Sequence, residues 1–195
     1  MNTALIVVDV QNDFCEGGSL AVAGGAAVAG RIGELLRGDH GYSLVVATRD
    51  HHIDPGSHFS ETPDFVDSWP PHCVVGTPGA ELHPALGDPE FAAIFDKGEY
   101  TAAYSGFEGS FHGKPLAEYL RENDIRAVDI CGIATDHCVR ATAKSAACHG
   151  FATTVLADLT AAVDPSKLDD LWVLLASKGI AVEKTDSVAE ETHPS

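Results

Sequence analysis

Thr3-Ala4-Leu5-Ile6-Val7-Val8-Asp9 is a continuous apolar run, rich in β-branched side chains and closed by one carboxylate. A strand with one wetted face alternates apolar and polar residues, whereas an unbroken run suits a strand buried on both faces, as in a parallel sheet covered by helices. The form recurs at Ser43–Asp50, Ala92–Lys97, Ala127–Gly132 and Thr153–Leu156, and weakly at Ala181–Glu183. Helical patterns fill the gaps between several of these runs. They are Ala26–Arg37, then Pro115–Asn123 with Pro in the first turn, Asp136–His149 capped by Asp136 and stopped at Gly150, and Ser166–Lys178 between Asp164-Pro165 and Gly179. The alternation predicts an α/β fold and one domain over residues 1–195, fraying after Lys184.

A chain of 195 residues is long enough for one substantial core. Its 12 Lys+Arg against 29 Asp+Glu give a net charge of −17. Such a surface repels phosphate backbones and anionic lipid, so neither nucleic acid nor membrane is an expected partner. The apolar runs are too short to span a bilayer, and no signal-peptide pattern precedes the first of them. Five cysteines (Cys15, Cys73, Cys131, Cys138 and Cys148) occur without a Cys-x-x-Cys pair. Reduced thiols of a cytoplasmic protein are the expectation, with a catalytic role open to one of them and a Cys15–Cys73 contact also open.

The strand ends carry the chemistry. Asp9 closes the first run, Asp50 the second and Lys97 the third, and Cys138 opens the helix after the fourth. Ligands of parallel α/β sheets bind beyond the carboxyl ends of the strands. Two irregular stretches, His51 to about Pro89 and Gly98–Gly113, follow strands directly and belong over the same edge. Each residue alone has a plain structural role: Asp9 as a turn cap, Lys97 as a solvated cation, Cys138 as a small apolar side chain. Their convergence suggests a nucleophile site instead. A helix start and the Lys97 cation lower the Cys138 pKa in this reading, while Asp9 takes the thiol proton and returns it to a departing amine.

A second constellation follows the pattern Asp-x-His-x5-His-x13-His: Asp50, His52, His58 and His72. One carboxylate and three imidazoles suit one divalent transition metal ion, zinc, manganese or iron, with positions left open. His137, beside the thiol, is expected to orient its neighbours. Phe14, Trp69, Tyr100 and Tyr104 bring flat rings near these residues and suggest a planar substrate. A non-catalytic thiol or metal sensor is the alternative; it would carry a resolving cysteine, and the nearest in sequence, Cys131, falls in an apolar run.

These stretches resemble a known family. Ile6-Val7-Val8-Asp9-Val10-Gln11-Asn12-Asp13-Phe14 is similar to the opening motif of the isochorismatase-like cysteine hydrolases. Thr48-Arg49-Asp50-His51-His52 with His58, and Trp69-Pro70-Pro71-His72-Cys73, resemble the metal loop of the nicotinamidase/pyrazinamidase group. Lys97-Gly98 and Gly132-Ile133-Ala134-Thr135-Asp136-His137-Cys138-Val139 resemble its lysine and nucleophile motifs. The resemblance covers roughly Ala4 to Thr160, with the motifs in the family's order. It implies a three-layer α/β/α fold with a six-stranded, mainly parallel sheet. It implies Asp9, Lys97 and Cys138 as the triad, Asp50, His52, His58 and His72 as metal ligands, and a cis peptide before Ala134 with an oxyanion hole from the Ala134 and Cys138 N–H groups. Phe14 and Trp69 would flank an aromatic carboxamide, with Tyr104 and Ala134 also lining the substrate pocket. The implied activity is hydrolysis of nicotinamide and pyrazinamide, tied to pyridine-nucleotide salvage, in a monomer or homo-oligomer. Other amidases of the superfamily, of N-carbamoyl or ureidoacrylate type, share the triad but not the four-ligand pattern.

Overall fold

The computed structural model describes residues 1–185. The expectation that the chain frays after Lys184 therefore falls almost wholly outside the described residues.

One sheet holds β1 (Thr3–Val8), β2 (Leu44–Asp50), β3 (Ala93–Lys97), β4 (Ser110–Phe111), β5 (Lys114–Pro115), β6 (Ala127–Ile133), β7 (Ala152–Ala161) and β8 (Ala181–Glu183). Their order is β5-β4-β3-β2-β1-β6-β7-β8. From β3 across to β8 every pairing is parallel, and these are the six strands that the apolar runs predict. Among the described residues the sheet has eight strands rather than six, because β4 and β5 add an antiparallel extension beside β3. Two-residue strands are too short to show a hydrophobic period. β7 runs to Ala161, beyond the expected Leu156, and its pairing with β6 shifts register between Ile130 and Gly132.

Helices cover both faces. β1 sends Ala4, Ile6 and Val8 into a core packed by α2 (Leu116–Glu122), α3 (Arg140–Cys148) and α4 (Leu168–Ser177). It sends Leu5 and Val7 into a second core against Val28, Ala29 and Ile32 of α1 (Gly25–Arg37). Full burial of each such Val, Leu or Ile contributes roughly 1.5–3 kcal/mol relative to exposure, so β1 anchors both layers. Among the described residues no helix is long and apolar enough to cross a membrane.

The stretch Asp136–His149 is not one α-helix capped by Asp136. A π-helical turn spans Thr135–Val139, and α3 begins only at Arg140. The Asp136 carboxylate reaches outward instead, accepting 2.9 Å hydrogen bonds from the backbone N–H groups of Val163 and Asp164. That ties the turn to the loop after β7.

Candidate active site

Because β1, β2, β3 and β6 run parallel, their carboxyl ends share one edge. Asp9 is the first residue beyond β1, while Asp50 and Lys97 end β2 and β3 in paired register. Gly132 lets β6 press against β1: its φ is +118°, and an added Cβ would lie 2.1 Å from the Val8 carbonyl oxygen. Two residues on, the Ile133–Ala134 peptide is cis, as the resemblance implies, and the π-helical turn then carries Cys138 to the same edge.

Lys97 is the hub. Its ammonium lies 2.9 Å from Asp9 Oδ2, and it donates to Asp50 Oδ1 at 2.5 Å, to the Ala103 carbonyl at 3.2 Å and to Cys138 Sγ at 3.7 Å. Asp9 Oδ1 accepts from the Thr48 hydroxyl at 2.7 Å. Asp9 Oδ2, although at ion-pair distance from Lys97, has no aligned donor.

Burial and neighbouring charges compete throughout this cluster. Burial pushes Asp9 up, and the Lys97 ammonium does not cancel it. It pushes Cys138 up too, opposed by Lys97 and reinforced by the Asp9 and Asp50 charges. Burial works against the Lys97 cation, but the two carboxylates outweigh it and hold the ammonium well above its ordinary value. For Asp50, burial is overcome by Lys97 first and then by the nearby His52 and His72 imidazoles, so its carboxylate stays well below the usual range. The expected lowering of the thiol pKa is thus corrected. Cys138 is buried two residues upstream of α3, near the Asp9 and Asp50 carboxylates, and both burial and those charges disfavour its thiolate.

His52, His58 and His72 are all buried, and they bring one ligand nitrogen each to within 4.8 Å of one another. Backbone carbonyls orient two of the rings, Gly98 O at 2.5 Å from His52 Nδ1 and Pro70 O at 2.8 Å from His72 Nδ1. Asp50 divides its carboxylate: Oδ1 takes Lys97, while Oδ2 lies 3.4 Å from His52 Nε2 and 3.7 Å from His72 Nε2. His52 Nε2 and His58 Nδ1 are buried without a hydrogen-bond partner. Burial and the other two imidazoles lower the His58 pKa to about 4, so its nitrogen lone pair is available at neutral pH. Orphaned nitrogens beside a fixed carboxylate fit a divalent transition metal.

Cys138, His58 and His72 open on one cavity of about 1150 Å³. Phe14, Trp69, Tyr104 and Ala134 line it as expected, whereas Tyr100 is exposed. Trp69 is fixed from two sides: its Nε1 donates to the Tyr104 hydroxyl at 3.2 Å, and its ring meets His137 edge-on at 5.4 Å. Sequence reasoning missed the Thr48 hydroxyl on Asp9 and the Ala103 carbonyl on Lys97, since neither contact leaves a local pattern.

Residues 3–187 match the isochorismatase domain. The nicotinamidase/pyrazinamidase of Mycobacterium tuberculosis is 62% identical over 161 residues, covering 82% of this chain and 87% of that protein. The pyrazinamidase of Pyrococcus horikoshii in complex with zinc superposes with a TM-score of 0.79 at 38% identity, over 94% of this chain and 99% of that one. PnC1 from L. infantum in complex with nicotinate superposes with a TM-score of 0.84 at 36% identity, over 95% and 94%.

Proposed function

The chain belongs to the isochorismatase family, and on that premise we propose that it is a metal-dependent amidase converting nicotinamide to nicotinate and ammonia, and pyrazinamide to pyrazinoate. The observation that carries this reading is the meeting of Cys138 with Asp9 and Lys97, next to a three-histidine cluster whose His58 and His72 line the same cavity as Cys138.

Asp9 takes the Cys138 proton as sulfur attacks the carboxamide carbon, and Lys97 balances the charge that moves onto the sulfur. The N–H groups of Ala134 and Cys138 hold the developing oxyanion. Asp9 then delivers the proton to the departing nitrogen, the C–N bond breaks, ammonia leaves and a thioester remains. Water attacks the thioester while Asp9 accepts its proton. The C–S bond breaks, Asp9 reprotonates the thiol, and the carboxylic acid departs. Phe14 and Trp69 clamp the ring. His52, His58, His72 and Asp50 would hold an iron, manganese or zinc ion, which supplies a Lewis-acidic centre for the ring nitrogen or for water. Five cysteines, none of them in a disulfide, support action in the cytoplasm, and the likeness to nicotinamidases supports a place in pyridine-nucleotide salvage.

Steady-state kinetics on four amides test the reading. Nicotinamide and pyrazinamide should both release ammonia from zinc-loaded protein. Benzamide has the same amide but no ring nitrogen, and should lose about ten- to a hundredfold in kcat/KM, as for a polar partner left unsatisfied. Picolinamide moves the nitrogen next to the carboxamide-bearing carbon and should also fall, because its amide swings away from Cys138. No ammonia from nicotinamide would overturn the activity; equal rates on nicotinamide and benzamide would overturn the role of the ion in selecting the ring.

A further inference from the structure

Gln11 is fully buried two residues beyond Asp9, and it touches none of the reacting groups named above. β1 leaves the sheet at Asp9, whose φ of +49° turns the chain, and Val8 paired with Thr48 is the last rung of its ladder with β2. The rung beside Asp50, two positions further in that register, is missing. The Gln11 side chain supplies it: Oε1 accepts from the Asp50 N–H at 2.9 Å, and Nε2 donates to the Asp50 carbonyl at 2.8 Å. The second amide hydrogen serves the Ala80 carbonyl at 2.9 Å, at the far end of the segment that carries His52, His58 and His72. The backbone of Gln11 meets the same region, bridging antiparallel to Leu82. Both donors and the acceptor are used, so only one orientation of the amide satisfies the network; a flipped amide would face N–H against N–H.

This one carboxamide therefore joins three things: the strand that delivers Asp9, the main chain of Asp50, and the exit of the histidine segment. Asp50 is the residue whose two oxygens reach Lys97 and the imidazoles, so a shift of its main chain would displace both contacts. We propose that Gln11 is a positioning residue for the ion site, clamping Asp50 and the closing end of the histidine segment onto β1 so that the four donors are arranged before an ion arrives. Mutating groups that orient metal ligands from behind commonly weakens metal affinity, by about 10–100-fold. Donors ordered during folding need no further ordering when the ion binds.

The inference rests on the histidine cluster holding an ion, and the test separates the two. Gln11→Met keeps side-chain length and removes all three bonds; Gln11→Glu keeps an acceptor for the Asp50 N–H and loses both donations. Tyr42→Phe is the comparison: it removes a 2.8 Å hydrogen bond to Asp129 at the opposite edge of the sheet. Zinc affinity is measured by competition with a chromophoric chelator at fixed pH, beside urea unfolding of the zinc-free proteins. The parent chain should bind about one zinc. Both Gln11 variants should bind it roughly 10–100-fold more weakly, while Tyr42→Phe loses stability and keeps its zinc affinity. Should Gln11→Met not fold, Gln11→Glu carries the comparison. A parent chain that takes up no zinc overturns the ion site and this inference together. A parent that binds zinc and a folded Gln11 variant that binds it equally tightly overturn this inference alone.

Discussion

At the sheet edge, Asp50 and Lys97 face each other in the last rung of a parallel ladder, and most of their side-chain partners are other side chains. The segment from His52 to Ala80 is built the other way. It has no ladder, only single bridges such as His52 with Val74 and Phe59 with Trp69, and carboxylates hold its backbone. Asp13 accepts from the N–H groups of Ser19 and Cys73, and Asp64 accepts from those of Val66, Asp67 and Ser68. The edge is dry and its charges answer one another; the segment is ordered by charges answering peptide groups near water. A ladder fixes Asp50 and Lys97 to the core, and a stitched loop can shape a pocket. Asp50 belongs to both halves.

The largest difference should follow removal of the edge's cation. Lys97→Met leaves Asp9 and Asp50 buried without their counter-charge, and should cost about 3–5 kcal/mol of stability in urea unfolding, along with the activity. A loss as small as that of an exposed ion pair, below about 1 kcal/mol, would show that the edge is not dry.

On the segment, His58→Ala should spare the fold and empty the ion site. Elemental analysis should fall from about one transition metal per chain to a small residue, and the nicotinamide-over-benzamide preference should collapse with it. Full metal content in the variant would remove His58 from the donor set.

The two halves were also unequally legible in the sequence. Asp9, Asp50 and Lys97 could be found because a polar residue closing an apolar run marks a strand end, and parallel strands gather such ends on one edge. The histidine spacing pointed to an ion, yet nothing local shows that Asp64 or Asp13 orders the segment, since each acts through peptide N–H groups. Asp136 misled for a related reason. Its position suggested a helix cap, but a π-helical turn follows β6 and its carboxylate caps another loop. Gln11 lay in plain view within an apolar motif, and its partners are 39 and 69 residues away.

A smaller effect distinguishes the halves by pH. Backbone N–H groups hold the exposed Asp64 carboxyl far below its ordinary value, so its ordering of the loop is fully present above the usual carboxylate pKa of about 3.9 and is lost only as pH falls through the lowered folded value. Asp9 has the opposite sign. Burial raises it, the folded state takes its proton at higher pH than the unfolded chain, and ionising it costs stability as pH rises through that window. In a Trp172→Phe background, Trp69 fluorescence should stay level from neutral pH to about 4, while kcat/KM already falls on its acid limb. Coincident curves would erase the contrast.

The account depends most on Cys138 being the nucleophile. Cys148 is exposed and Cys138 buried, so the measurement uses a Cys148→Ser background to keep the surface thiol out of the reading. Ammonia release from nicotinamide is followed in this protein and in its Cys138→Ala derivative, with iodoacetamide labelling mapped on the former with and without nicotinamide. The account predicts that Cys138→Ala folds and loses about 10⁴-fold or more in kcat. It also predicts that one alkyl group lands on Cys138 and that substrate slows its arrival. Near-normal ammonia release from the Cys138→Ala protein would contradict it.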